Sequence, residues 1–489
     1  MIRFQFADLH CHSTLKAFGN SFSKRKKRQR TNLMLYRKKP SFLTILLQKL
    51  LGITKFSQTD LTTMAEANVR LAFVSLYPFE KGFFCHSYLN NKLVATLANY
   101  ITSIGYKRIR YIQKHQDYFN DLMNEYHFLL GELKKQQQLK DVPAWKLMSR
   151  KNKLADNIQN KDSFFIIPTI EGAHVFNTGM GDFGKKTNKI EVLNNINKLK
   201  KLPFPPLFIT FAHNFNNDLC GHAPSLQPLA AVIDQSCNMN KGISLLGFEV
   251  INILLKSDNG YPIYIDVKHM SVTSRKEYYR LLETKYDNKI PIIVSHGAVT
   301  GTDYRGKNGS SVNPESFSSA TINFYDEEIV KIAQTKGLFA IQLDAKRLAP
   351  HRLVKKPLFS NNSVLDLKKS TLIIWNQLRH IAELLDANGH YAWGITCIGS
   401  DFDGTINPLN RIWTSLDFND MANELLLLVR DYLSKENRLE QKRNFLENPV
   451  EVVRKFTYVN TRNFVLHFYC NNQLIEDSNE KFNVSFMCP

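Results

Sequence analysis

The chain has 489 residues, of which 43% are hydrophobic and 33 are phenylalanine, enough apolar surface for a large packed core and too much for a disordered ensemble. Lys and Arg number 64 against 44 Asp and Glu, a net charge of +20 that permits attraction to anionic partners, but no recognition motif accompanies it and no nucleic-acid partner is expected. Seven cysteines without a framework spacing point to a reducing compartment, no signal peptide precedes the first strand, and no apolar run is long enough to span a bilayer, so the sequence reads as cytoplasmic with no transmembrane segment.

Short apolar or β-branched runs recur along the chain. Each is followed by polar, Gly-rich or His-rich sequence and then by helical periodicity, the pattern of parallel βα units. The first predicted strand covers 2–7. A basic run, Lys24-Arg25-Lys26-Lys27-Arg28-Gln29-Arg30, reads as a solvated loop, and an apolar stretch over 42–51 is too short to cross a bilayer. A helix begins near Leu61, before the second strand at 69–76. A Lys-, Gln- and Tyr-rich stretch of helical character separates this strand from the third, at 164–169. The remaining strands are predicted at 207–211, 263–267, 290–294, 338–343 and 393–398, with helices at 274–282, 326–336, 370–387 and 417–433. Eight strands with intervening helices predict an α/β fold: a (β/α)₈ TIM-type barrel, one domain over 1–489, with helical and loop insertions at about 13–58 and 85–160.

Enzymes of this architecture place their chemistry at the C-terminal ends of the strands. Those ends read Asp8-Leu9-His10-Cys11-His12, Glu171-Gly172-Ala173-His174, Ala212-His213-Asn214, Asp266-Val267-Lys268-His269, Ser295-His296-Gly297 and Gly399-Ser400-Asp401-Phe402-Asp403-Gly404. Two imidazoles at i and i+2 on an extended segment point the same way and can reach one ion. His10, His12, Glu171, His269, His296 and Asp401 are therefore predicted to converge. Imidazole and carboxylate donors suit Zn²⁺ first, with Mn²⁺, Co²⁺ and Fe²⁺ chemically open. Two divalent ions about 3.5–4 Å apart can share a water, lower its pKa and polarise a carbonyl. Glu171 is the candidate bridge between them, Asp401 the candidate proton carrier, and His213 the candidate donor to a developing oxyanion.

Taken in order, these motifs resemble the membrane (renal) dipeptidase family of the amidohydrolase superfamily. The match continues through Ile265-Asp266-Val267-Lys268-His269-Met270-Ser271, Ser295-His296 and Gly399-Ser400-Asp401-Phe402-Asp403-Gly404, and leaves out insertions near 13–58, 85–160 and 300–320. The resemblance implies a first ion on His10, His12 and Glu171 and a second on Glu171, His269 and His296. It also implies proton transfer by Asp401, substrate polarisation by His213, and cleavage of the amide bond of a small dipeptide. Dimers are common in that family, so a homodimer is an expectation of the resemblance alone. Three departures stand out. His12 occupies a position where vertebrate members carry Asp. The family's carboxylate-gripping Arg has no counterpart, which leaves Arg305, in Tyr304-Arg305-Gly306-Lys307, as the candidate to bind the substrate carboxylate. Lys268, beside His269, is expected to point outward or to pair with an acid, because a buried amine facing metals is costly.

His86, His174 and His222 are assigned capping or surface roles, and Asp403 a structural one. The opening Asp8-Leu9-His10-Cys11-His12-Ser13 also resembles phosphoesterases of the polymerase-and-histidinol-phosphatase type, which keeps that activity as an alternative. Hydrolysis of a non-peptide amide, lactam or ester is a further alternative on fold analogy. A non-catalytic binding protein is the least favoured, because an inactive descendant has no need of the full ligand set.

Overall fold

A computed structural model of the chain describes residues 1–23, 34, 38–85, 89–136, 144–148, 163–226, 233–258, 260–357, 362–436 and 438–467. The basic run 24–30 and His86 lie outside the described residues. Nine strands are present among those residues: β1 (Phe6–Cys11), β2 (Val69–Leu76), β3 (Trp145–Leu147), β4 (Phe164–Glu171), β5 (Phe208–Thr210), β6 (Tyr264–Asp266), β7 (Ile293–Gly297), β8 (Leu338–Ile341) and β9 (Thr396–Ile398). They are parallel and follow the order β2-β1-β9-β8-β7-β6-β5-β4, and β4 pairs back onto β2 from Leu71↔Phe165 to Leu76↔Ile170. That last pairing closes an eight-stranded barrel with helices between its strands, the predicted (β/α)₈ architecture. β3 stands outside the ring, alongside the start of β4.

The strands are buried on both faces, which is why they read as continuous apolar runs rather than alternating ones. Two of the boundaries that differ from the sequence prediction have a local cause, a side chain in one case and a proline in the other. Residues 2–5 are not part of β1, because the amides of Ile2 and Phe4 donate to Asn423 Oδ1 (2.8 Å) and Asn419 Oδ1 (3.0 Å) of the helix Phe418–Asp431. β7 begins after Pro291, which has no N–H to offer the ladder. The predicted helices are found at Val272–Tyr286, Asp326–Gln334, Ser363–Ala387 and Phe418–Asp431.

Both large insertions carry helices. The first contributes Leu15–Ser21 and Phe42–Leu51, and the second Asn91–Thr102, Tyr106–Lys114 and Tyr118–Gln136. They share a small core of their own, built from Leu15, Tyr77, Phe79, Phe84, Ala95, Ile104, Ile109 and Ile112. Buried Arg108 pairs with both oxygens of Asp121 at 2.6 Å and lies 4.8 Å from the Phe18 ring centroid. Gly19 is required where the insertions touch: a Cβ there would stand 2.0 Å from the Ile104 carbonyl oxygen.

The 300–320 insertion is clasped by Ser310, His380 and Asp326. Ser310 Oγ lies 2.7 Å from His380 Nδ1, and His380 Nε2 lies 2.7 Å from Asp326 Oδ1. The arrangement resembles a Ser–His–Asp triad, but its neighbouring amides are committed: Val312 N donates to Ser310 Oγ and Ser311 N to Glu383. With the Ser310, Ser311 and Val312 amides all engaged, the trio reads as a fastener.

Lys356 gives a test of local electrostatics. Its ammonium donates to Asn407 Oδ1 at 2.6 Å, and burial, with Lys346 and Lys49 nearby, brings its pKa down to about 7 from 10.5, against the pull of Asp344. A base with a depressed folded-state pKa binds fewer protons folded than unfolded between those two values, so stability rises with pH across that window. Lys356→Met is expected to unfold at a higher temperature than the parent at pH 6, the difference shrinking as pH rises beyond 7. A difference that does not vary with pH in thermal denaturation would contradict this.

Candidate metal centre

Each predicted rim residue lies at the end of a strand, with its direction set locally. His10 lies in β1, and His12 follows the strand's end. His12 N donates to Phe402 O at 2.9 Å and Asp401 N to His10 O at 2.9 Å, so the first and last strand ends are stitched together. Glu171 is the last residue of β4, and Gly172 after it adopts φ +93°, where a Cβ would meet His174 Nδ1 at 2.3 Å. Gly399 lets β9 pass Ser295, whose carbonyl oxygen would be 1.9 Å from a Cβ at that position. His269 and Asp401 have left-handed backbones, φ 66° and 58°, a conformation that costs non-glycine residues about 1–2 kcal/mol and concentrates at functional sites.

Seven of the eight predicted site residues meet in one buried cluster. His10 Nε2 and His12 Nε2 are 3.2 Å apart, and His269 Nε2 and His296 Nε2 are 3.3 Å apart. Glu171 lies between the pairs: Oε2 is 3.1 Å from His12, while Oε1 is 3.6 Å from His10, His269 and His296 and 3.4 Å from His213 Nε2. Asp401 Oδ1 is 3.5 Å from His12 and 3.9 Å from His10. Nitrogens about 2.0–2.1 Å from a tetrahedral ion are roughly 3.3 Å apart, so both histidine pairs have the spacing of one edge of such a site. Three ligand-like groups emerge: His10, His12 and Asp401; His10, Glu171 and His296; and Glu171, His213 and His269. His213 and Asp401 thus stand within ligand range, alongside the five predicted ligands.

Two buried aspartates support the cluster from below. Asp266 accepts from Thr210 Oγ1 (2.6 Å), Ser295 Oγ (2.6 Å), Ser295 N (3.0 Å) and Lys268 N (3.1 Å). Because Ser295 gives its hydroxyl proton to Asp266, its oxygen receives Nδ1–H of His296 at 2.8 Å, which leaves His296 Nε2 with its lone pair facing the cluster. Asp8 accepts from Ser400 N and Oγ at 2.8 and 2.5 Å, and burial pushes its pKa up to about 7.

The electrostatics centre on Glu171. Burial opposes its ionisation, but His213, His12 and His10 hold it well below the usual carboxylate range. Burial also opposes charging of His12 and His213, yet nearby carboxylates raise both to about 10: Glu171 and Asp401 at His12, Glu80 and Glu171 at His213. Burial brings His10 down to about 3. Burial raises Asp401.

Arg305 is the predicted site residue that stands apart. It lies on an exposed turn with its amide on Asp303 Oδ1, and no hydrogen bond or ion pair among the described residues joins it to the cluster. Lys268 corrects an expectation. It points inward, fully buried, and its ammonium donates to Gln342 Oε1 at 3.3 Å rather than to an acid. Burial, with Arg347 nearby, lowers its pKa to about 7, so neutralisation relieves the cost of enclosing an amine there. Two further groups escaped the sequence reading. Gln342 Nε2 donates to Asp401 Oδ2 at 2.8 Å. Glu80 accepts from His213 Nδ1 at 2.7 Å, and from Tyr77 Oη and the Asn214 amide. Both follow apolar strands, the same positional signal that flagged the others.

Other predictions can be placed as well. Asp403 holds the Gln58 and Thr59 amides and Lys16 Nζ, a structural role. His174 and His222 are buried rather than superficial, bonded to the carbonyls of Pro78 and of Ala223 and Cys237. Cys220 is a buried free thiol and Cys237 an exposed one.

The fold and cluster together define a (β/α)₈ barrel with a histidine–carboxylate centre at the C-terminal ends of its strands. No family model matches the sequence, and no curated protein matches it. Among solved structures the chain is similar to dipeptidase AC, a metallopeptidase of family M19, with TM-score 0.53 and 12% identity over 96% of this chain and 99% of that one. It is also similar to a metallopeptidase from Rhodobacter sphaeroides bound to a phosphinate mimic of the dipeptide L-Ala-D-Ala, with TM-score 0.51 and 12% identity over 95% and 99%. At this identity the likeness is one of fold.

Proposed function

We propose that the chain is a metal-dependent hydrolase with two divalent ions, Zn²⁺ first among the candidates, acting on the amide bond of small dipeptides. The observation that carries this reading is the convergence of four imidazole Nε2 atoms on one two-sided carboxylate, Glu171, buried at the C-terminal ends of the barrel strands. His10, His12, Glu171, His269 and His296 are the proposed ligands. Bound ions supply Lewis acidity and lower the pKa of water.

The remaining groups belong to the protein. Asp401, fixed at Oδ2 by Gln342, turns Oδ1 toward His12 and His10, the oxygen placed to accept and pass on a proton. His213, with Nδ1 held by Glu80, presents Nε2–H to oxygen charge developing on the substrate. Both solved structures named above are metallopeptidases, one bound to a dipeptide mimic, and this supports the dipeptide over the phosphoester reading.

The test is elemental analysis of purified protein, paired with amine release from dipeptides that include D-residues at the C-terminal position. About two ions per chain with dipeptide turnover is expected. A protein that takes up no divalent ion would refute the proposal, and two ions without dipeptide turnover would move the substrate elsewhere.

The substrate carboxylate needs a cation, and the structure offers one besides Arg305. Half-buried Arg347 donates from its guanidinium to Ser225 O at 2.9 Å, Ser225 Oγ bonds to Asn214 beside His213, and the Arg347 charge helps depress Lys268. Arg347→Met is expected to raise KM about tenfold or more with kcat nearly unchanged, while Arg305→Met leaves both alone. The reverse result in steady-state kinetics would return the role to Arg305.

A further inference from the structure

The positive charge of this chain is concentrated. Between Asp8 and Asp60 the sequence has twelve Lys and Arg and no Asp or Glu, and between Glu80 and Asp117 it has six more and again no acid. Removing those 18 from the total of 64 leaves 46 Lys and Arg against all 44 acids, so the rest of the molecule is nearly neutral. These two intervals fall largely in the two insertions on the barrel.

The same intervals present apolar side chains to solvent. In helix Phe42–Leu51 the usual polarity is inverted. Gln48 is buried with Nε2 on Asn407 Oδ1 at 2.8 Å, whereas Phe42, Leu43, Leu50 and Leu51 are 57–73% exposed. In helix Asn91–Thr102, Val94 and Ala95 face inward, while Leu93, Leu97, Tyr100 and Ile101 form an exposed stripe at i, i+4, i+7 and i+8. Lys55 links the two, its ammonium 3.1 Å from Ser103 Oγ and 4.6 Å from the Tyr100 ring centroid.

Lys16, Lys81 and Arg108 are engaged inside the fold, with Asp403, with backbone carbonyls and with Asp121. Lys38, Lys39, Lys49 and Lys55 face no acid in an ion pair among the described residues, and burial lowers Lys38 and Lys55 below the usual ammonium range, helped by the charge of Lys16 at Lys38 and of Lys38 and Lys16 at Lys55. Asn407 belongs to the loop that carries Asp401 and Asp403, so this surface lies at the same end of the barrel as the metal centre.

We propose that the two insertions form a docking surface for an anionic lipid bilayer, with helix Phe42–Leu51 and the outer stripe of helix Asn91–Thr102 entering the headgroup region while flanking lysines neutralise lipid charge. Apolar side chains beside unpaired cations are the chemistry of an interfacial helix. A second copy of the chain is a poor occupant, because it would bring two strongly basic surfaces together in a setting that gives neither a counter-charge. A nucleic acid satisfies the lysines but gains nothing from exposed Leu and Phe. This inference is independent of the hydrolase reading.

The test is co-sedimentation of the full chain with phosphatidylcholine vesicles, with and without about 30% phosphatidylserine. Two triple variants accompany the parent: Phe42→Asn with Leu43→Asn and Leu50→Asn, and Lys38→Gln with Lys39→Gln and Lys49→Gln. All six positions are wholly or partly exposed, and an unchanged melting temperature and metal content serve as the folding control. The parent is expected to prefer the anionic vesicles and to be released by high salt, and each variant to bind at least about tenfold less. Equal binding to both vesicle types, or variants that bind like the parent, would overturn the proposal. So would a parent dimer in light scattering that the asparagine variant dissociates, which would assign the surface to a second copy. Binding to duplex DNA that the glutamine variant loses and the asparagine variant keeps, with no vesicle binding, would assign it to nucleic acid.

Discussion

Glu171→Ala is expected to abolish stoichiometric metal binding and to reduce hydrolysis by about three orders of magnitude or more. Among the described residues, Glu171 is the one carboxylate that lies within 3.6 Å of the Nε2 atoms of all five of His10, His12, His213, His269 and His296. Its two oxygens divide those neighbours, so a single side chain both joins the two histidine pairs and supplies the negative charge that two dications need at close range. The alanine variant leaves facing imidazoles in a buried space with no counter-charge between them, and leaving a buried charge unpartnered costs about 3–5 kcal/mol. Glu171→Gln separates the contributions, because it keeps the volume and removes the charge. It is expected to lose metal nearly as completely. Elemental analysis after dialysis, read beside dipeptide turnover, checks both variants, and either one retaining two ions with near-parental rates would refute the bridging role.

Asp401→Asn is expected to lower kcat by about 10²–10⁴-fold with the metal content retained, the size of effect that loss of a proton-transfer group produces. The structure extends this prediction to its neighbour. Lys268 keeps N–H donors whether charged or neutral, and its 3.3 Å contact is to Gln342 Oε1, an orientation in which the Gln342 amide hydrogens face Asp401 Oδ2. Gln342 is thus a positioning residue that occupies one carboxylate oxygen and leaves the other toward His12 and His10. Gln342→Leu removes that donor and is expected to reduce kcat by about tenfold with KM and metal content little changed, while Gln342→Asn recovers part of the loss. A Gln342→Leu enzyme that loses its ions, or changes KM alone, would assign Gln342 to packing or substrate binding instead.

Much of this architecture was legible without coordinates. The strands are short, apolar and spaced by helical periodicity because both faces of a parallel barrel strand are buried, a pattern that depends on local sequence. The rim residues were legible for the same reason: a polar His, Glu or Asp directly after an apolar run marks the point where a strand leaves the core. That rule gave His10, His12, Glu171, His213, His269, His296 and Asp401, all of which meet in the cluster. Widened to admit Gln, and followed through the apolar Tyr77-Pro78-Phe79 beyond β2, it would also have reached Gln342 after β8 and Glu80.

Partnerships across the barrel depend on tertiary structure, because the groups involved are far apart in sequence. Glu80 meets His213 over 133 residues, Lys268 meets Gln342 over 74, and Asp8 meets Ser400 over 392. Nothing in the local sequence around Lys268 predicts that it turns inward; a carbonyl oxygen on a strand two places around the ring makes that direction acceptable. Arg305 and Arg347 are equally plausible as residue types, and only their surroundings separate an exposed turn from a half-buried guanidinium bonded to Ser225. The sequence by itself determined the barrel and the chemistry of its rim, since burial pattern and residue type are local properties. Which rim residues share a carboxylate, a proton or a counter-charge was decided by barrel closure, which brings strand ends hundreds of residues apart to within hydrogen-bonding distance.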